Sequence, residues 1–207
     1  MIKTTAMLRD ELGDYVNPDA KIKRMVQEKM LFPVARGIYE TNRDVSGYCF
    51  AGVIYGPSYL SFEFAMSLYG LIPEAVYMFT SATYEKKKRK QFENIFGIYT
   101  YRDVPADVYT YGVELIEENG YYYWIASPEK AVCDMLYKAA PLKNGSELRA
   151  FLFDDLRVDS YELSSLNMDK MLELCGMYRT KNHRLMESFL RKEKKHGHNA
   201  ETDASDI

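Results

Sequence analysis

The chain has 207 residues, 47% of them hydrophobic and 28% charged, a balance that supports a buried core and excludes a low-complexity chain. Its formal net charge of −3 excludes a uniformly basic nucleic-acid coat and leaves any phosphate contact to a local surface. Cys49, Cys133 and Cys175 are too scattered for a disulfide framework, and without a Cys-x-x-Cys pair they point to a reducing, cytoplasmic setting. The first residues hold no apolar run of signal-peptide length, and no stretch reaches the roughly 18 apolar residues of a membrane span.

Residues 1–43 read as a small unit of their own. Thr4 or Thr5 caps a short helix carrying Met7, Leu8 and Leu12, with Gly13 ending it. Asn17-Pro18-Asp19 then starts a second helix: Asn as cap, Pro in the first turn, Asp at the positive end of the dipole. Ile22, Met25, Val26 and Met30 recur at helical spacing, and Lys21, Lys23, Arg24, Gln27 and Glu28 fall on the other face. After that the period shortens. Leu31-Phe32-Pro33-Val34 and Ile38-Tyr39-Glu40-Thr41 read as a hairpin turning at Arg36-Gly37. Two helices, the second basic, followed by a hairpin with Arg at its tip, predict a winged helix-turn-helix-like unit.

Thr41 to Ser46 is the expected linker, and a larger unit follows over 47–194. Tyr48 to Tyr55 reads as a strand or buried segment. Ser58 or Ser61 caps a helix holding Phe62, Phe64, Ala65, Met66, Leu68 and Tyr69, closed by Gly70. Strands are expected over Ala75–Thr83 and Ile95–Tyr101, with the charge run Glu85–Lys90 between them. Tyr111–Glu117 and Tyr121–Ala126 flank Asn119-Gly120, a strong hairpin signal. Ser127-Pro128-Glu129 caps a helix reaching Tyr137, whose buried stripe is Ala131, Val132, Met135 and Leu136. Three or four helices are expected from Ser146 to Lys194, then a polar, disordered tail over 195–207. Strands followed by helices without strict alternation predict the α+β class.

The segments Asn17-Pro18-Asp19-Ala20-Lys21-Ile22 and Leu31 to Thr41 are similar to the N-terminal DNA-binding region of AbiEi-type antitoxins. The similarity continues through Gly56-Pro57-Ser58-Tyr59-Leu60-Ser61-Phe62-Glu63, Tyr69-Gly70-Leu71-Ile72-Pro73-Glu74, Thr80-Ser81-Ala82-Thr83, Tyr111-Gly112-Val113-Glu114-Leu115 and Ile125 to Ala131. It runs in order over roughly residues 15–190. The resemblance implies an antitoxin of a type IV toxin–antitoxin, or abortive-infection, system used in phage defence. It implies an N-terminal winged helix-turn-helix on inverted-repeat, double-stranded operator DNA upstream of its own operon, and a mixed α/β C-terminal antitoxin domain. It also implies a nucleotidyltransferase-like toxin, opposed functionally and without an obligatory direct contact. The chain departs from the pattern in one respect: it has room for two short helices before the hairpin, where such domains usually place three.

Residues 1–43 hold eight Lys and Arg against six Asp and Glu, a local sign opposite to that of the whole chain. A helix in the major groove needs cations for phosphates and polar tips for base edges. Lys21, Lys23, Arg24 and Arg36 are therefore the leading candidate DNA contacts, with Lys29 and Arg43 as further phosphate contacts. The residues alone also fit an ordinary solvated helix face, and the resemblance turns the reading toward DNA. Lys86, Lys87, Lys88, Arg89 and Lys90 form a possible secondary basic patch, or a solvated hairpin connection.

Glu85-x-Lys87, with Glu63 and Glu74 upstream, evokes a metal-dependent nuclease, although such carboxylates belong in a buried strand rather than a basic stretch. Ser127 and Lys130 evoke a catalytic Ser-Lys pair, but helix capping explains them. Tyr59, Tyr69, Tyr109, Tyr111 and Tyr121 to Tyr123 read as sheet packing rather than a base-stacking platform. His183, His196 and His198 have no metal or triad spacing, and no phosphate-binding Gly loop occurs. The sequence thus points to a non-enzymatic regulator without catalytic residues, cofactor or metal. A nuclease built on Glu74, Glu85 and Lys87 is the second reading, and a protein-interaction module the third.

Overall fold

The computed structural model describes the backbone of residues 1–204 and the side chains through residue 194. Its amino-terminal part is β1 (Ile2–Thr4), α1 (Thr5–Glu11), α2 (Pro18–Gln27), β2 (Phe32–Ala35) and β3 (Ile38–Glu40). The Thr4 hydroxyl accepts the Met7 N–H at 3.2 Å and the Asn17 side chain accepts the Ala20 N–H at 3.0 Å, so both helices start at the caps read from sequence. Helix α1 stops at Leu12, one residue before Gly13. Helix α2 stops at Glu28, because Lys29 takes a left-handed turn with φ 57°, and Met30 lies beyond the helix. Strand β1 was not expected. It pairs antiparallel with β3, giving a three-stranded sheet in the order β1-β3-β2. Leu8, Ile22 and Leu31 form a small core of their own under α1 and α2.

A turn of 3-10 helix (Gly47–Phe50) leads into α3 (Ala51–Ile54), where an extended or buried segment was expected. The segment is buried through Cys49, Phe50 and Ala51 but coils rather than extends. There follow β4 (Tyr59–Leu60), α4 (Phe62–Leu68), β5 (Met78–Thr83), β6 (Lys90–Asn94), β7 (Gly97–Asp103), β8 (Val113–Glu118) and β9 (Tyr121–Ala126). They form a mixed sheet in the order β6-β7-β5-β4-β9-β8. Strand β4 is antiparallel to β5 and parallel to β9, and β5 is parallel to β7. The charge run therefore ends inside β6, an edge strand with a largely polar, exposed sequence that carries no period-2 signal.

The helices α5 (Pro128–Lys138), α6 (Gly145–Ala150), α7 (Ser160–Ser165), α8 (Met168–Tyr178) and α9 (Lys181–Ala204) complete the chain, with a π turn over Phe151–Asp155. The tail expected to be disordered (195–207) lies outside the described residues in its side chains, and from 205 in its backbone also. With 45% helix and 22% strand around a mixed sheet, the class is α+β. No helix among the described residues is long and apolar enough to cross a membrane.

The tyrosine excess has a structural use. Tyr59, Tyr99 and Tyr101 are fully buried, and each hydroxyl reaches an acceptor: Asp134 Oδ2 at 3.0 Å, the Gly47 carbonyl at 2.9 Å and the Ala51 carbonyl at 2.7 Å. The amino-terminal sheet docks on this domain through Val34, which belongs to the main core. Asn94 donates from its side chain to the Val34 carbonyl at 2.8 Å, and Phe32 meets Phe96 edge to face at 6.4 Å. The expected linker is short and anchored: the buried Glu40 carboxylate accepts the N–H groups of Thr41 and Asn42 at 2.8 and 2.9 Å.

Candidate nucleic-acid interface

Helix α2 rests Ile22 in the small core, with Met25 and Val26 packed beside it. The 3.6-residue period then carries Ala20, Lys23, Arg24 and Gln27 to the opposite side, where all four are exposed. The hairpin β2–β3 follows three residues after the cap of α2, and its turn presents Arg36 to solvent beside Gly37, whose φ of 74° allows the tight reversal.

The candidate cations differ in what already holds them. Lys23, Lys29 and Arg36 are exposed and make no ion pair among the described residues. Arg24 pairs with Glu28 at 2.7 Å, one turn along the helix, and this contact holds the Glu28 carboxyl below its usual range. Both side chains stay largely in water, where such a pair is weak and exchanges readily for a phosphate. Lys21 lies over the Tyr15 ring at 5.4 Å and is half-buried. Arg43 sits over Phe96 at 5.4 Å, at the seam with the larger domain rather than beside α2. Of the other cations in this unit, Arg9 is held by both carboxylate oxygens of Asp19 and Lys3 by Glu11.

The run Lys86 to Lys90 joins β5 to β6. Lys86 is anchored: its Nζ donates to the Gly56 carbonyl at 3.2 Å and lies 5.3 Å from the Tyr55 ring centre. The Lys87 backbone N–H donates to Asp103 Oδ2 at 2.6 Å, and the side chains of Lys87, Lys88, Arg89 and Lys90 are exposed. Burial first, then the positive charges of Arg89 and Arg102, lower the pKa of the Lys138 ammonium, against the opposing charge of Asp103.

The carboxylates of the nuclease reading have separate partners. Glu63 forks onto Arg102, with an NH1–Oε1 distance of 3.0 Å, Glu74 pairs with Arg157 at 2.6 Å, and Glu85 is exposed in the loop. No group of three or more His, Cys, Asp or Glu able to hold a metal occurs among the described residues. Ser127 caps α5: its Oγ donates to Glu129 Oε2 at 2.8 Å and accepts the Lys130 N–H at 3.4 Å. The Lys130 ammonium is directed elsewhere, to Asp134 and Tyr178. Tyr59 and Tyr123 are buried and Tyr69, Tyr109 and Tyr121 half-buried, as packing requires, whereas Tyr111 and Tyr122 are exposed.

One constellation escaped the reading of the sequence. Lys130 and Asp134 are both fully buried, and the Asp134 carboxylate gathers the Ser61 hydroxyl at 2.6 Å, the Tyr59 hydroxyl at 3.0 Å, the Tyr178 hydroxyl and the Lys130 ammonium. Burial and the Asp134 charge push both phenols well above their usual range, so they stay protonated as donors. His183 stacks on Tyr178 with ring centres 4.3 Å apart, and its Nε2 meets the Cys133 carbonyl at 3.0 Å. A lysine four residues before an aspartate on an amphipathic helix resembles any exposed i,i+4 pair, which is why spacing alone did not reveal it. Family models, when compared with the chain, match none of it, and no curated protein sequence matches it.

Proposed function

We propose that this chain is an AbiEi-type antitoxin that binds the inverted repeats upstream of its own operon and opposes a nucleotidyltransferase-like toxin. The observation that carries the DNA-binding part is the juxtaposition in residues 1–43. An exposed helix face bearing Lys23 and Arg24 precedes a hairpin whose turn bears Arg36, and a strand ahead of the helices closes the small sheet. That order of elements suits a recognition helix in the major groove with the hairpin reaching the flanking backbone. The chain's negative total is no obstacle, because phosphates respond to charge within about a Debye length of roughly 10 Å.

The test is a gel shift on the DNA upstream of the reading frame, with Lys23→Glu combined with Arg24→Glu, and separately Arg36→Glu. The expected result is loss of the shifted band in the double variant while circular dichroism remains unchanged. Undiminished binding by both variants overturns the assignment. For the antitoxin role, co-expression with the adjacent gene product should restore growth. Growth arrest that persists at equal expression rejects it.

A further inference from the structure

Beside β9 the structure holds a cleft of about 540 Å³, within the size range of small-ligand sites. Three of its eight lining residues are aromatic. Trp124 stands at one side with half of its surface exposed, on the outer face of β9, and Tyr109 stands at another. Tyr59 lines the cleft with its ring 5.1 Å from that of Tyr109, and its hydroxyl is tied to Asp134, so this wall is fixed before any ligand arrives. Tyr84 backs Tyr109 at 4.4 Å. Ser58 and Thr110 are the polar residues of an otherwise apolar lining.

No lining residue carries a charge, but two contacts join the cleft to a positively charged segment. Tyr84, its ring tilted 53° against that of Tyr109, leads directly into the segment 85–90, which carries five cations and one carboxylate. Lys86 returns from that segment to the Gly56 carbonyl, next to the lining residue Pro57, and is held over Tyr55. Aromatic-lined clefts also take cationic ligands, but a neighbouring lysine held in place disfavours an ammonium group and favours an anion. Glu85, in the same segment, offsets one of those five charges.

We propose that this cleft binds a nucleoside monophosphate, its base stacked on Trp124 and its phosphate directed to Lys86. The site is independent of the DNA-binding face. Trp124 is the chain's single tryptophan, so its emission reads the site without a label. Adenosine monophosphate is the probe, titrated into the full chain to millimolar concentration, with adenosine in parallel.

The expected result is a saturable change in emission, with adenosine bound about tenfold more weakly for want of the charged contact. Gly52→Leu should abolish the change. A Cβ at Gly52 meets only the Ser58 carbonyl oxygen, at 3.8 Å, so a side chain there enters the cleft without displacing backbone. Lys86→Ala should weaken the monophosphate to the level of adenosine and leave adenosine unchanged. Tyr109→Ala provides a second loss of binding should Gly52→Leu fail to fold. Absence of a saturable change, equal affinity in the wild-type and Gly52→Leu proteins, or equal affinity for the two probes overturns the proposal. So does a response to single-stranded oligothymidylate alone, which would make the exposed indole a strand-stacking surface.

Discussion

Lys130 Nζ lies 3.1 Å from Asp134 Oδ1, one turn along α5, and neither side chain touches solvent. The pair survives in the core because both partners are further hydrogen-bonded: Tyr178 bonds each of them, while Ser61 and Tyr59 donate to the second carboxylate oxygen. It ties three parts of the domain together, since Tyr59 lies in β4 and Ser61 directly follows it, Tyr178 closes α8, and the charges belong to α5. A shared polar centre of this kind fixes the register of the helices on the sheet as long as it is complete.

Removal of one charge from this centre should therefore be far more damaging than removal of both. Lys130→Met leaves a buried carboxylate without its cation, and the expected loss is about 3–5 kcal/mol in urea unfolding. Lys130→Met with Asp134→Leu should regain most of that loss, since two apolar side chains need no partners. A double variant as unstable as the single one would mean that the hydroxyl contacts, not the ion pair, dominate.

Acid should weaken the fold through His183. Burial lowers the pKa of this imidazole from its ordinary 6.5 to about 4, against the opposing pull of the Cys133 carbonyl. A carbonyl only accepts, so Nε2 carries the proton and Nδ1 accepts from the Thr180 hydroxyl at 2.6 Å. The native state then binds fewer protons than the unfolded chain between these two values. Its contribution is whole above 6.5 and declines as pH falls toward 4. The loss amounts to about 3 kcal/mol over the window. Denaturant titrations across that range should show the decline in the wild type and a flatter profile in His183→Gln. Parallel profiles would assign the acid sensitivity to carboxylates such as Glu129, whose pKa is also lowered.

Gly47 offers a third measurement. It follows directly on the stretch expected to be a linker, yet a Cβ there would lie 2.4 Å from the Phe96 carbonyl oxygen and 2.5 Å from the Phe79 ring. Its own carbonyl accepts the Tyr99 hydroxyl at 2.9 Å. Gly47→Ala should cost about 3 kcal/mol, because backbone on one side and a packed ring on the other must both yield. Gly120→Ala, in a turn with φ 80° and nothing near the new atom, should cost about 1 kcal/mol from backbone strain alone. Equal losses in the two variants would show that the close approach at Gly47 relaxes freely.

What the chain determines by itself are the features that a few adjacent residues decide. Asn17-Pro18-Asp19 and Ser127-Pro128-Glu129 start helices where they stand, and Arg36-Gly37 and Asn119-Gly120 turn hairpins, because the cap or turn partner lies within four residues. The basic character of α2 and its exposed side follow from the helical period in the same way. Tertiary structure decided the rest. Ile2–Thr4 and Tyr59–Leu60 are too short to announce themselves and become strands only because β3, β5 and β9 offer free hydrogen-bonding edges. Lys90–Asn94 is polar and extends because β7 lies alongside. Tyr178 reaches Asp134 across 44 residues, and the cleft beside Trp124 collects its walls from segments that only the sheet order brings together. Such sites arise from long-range packing, for which local spacing holds no record.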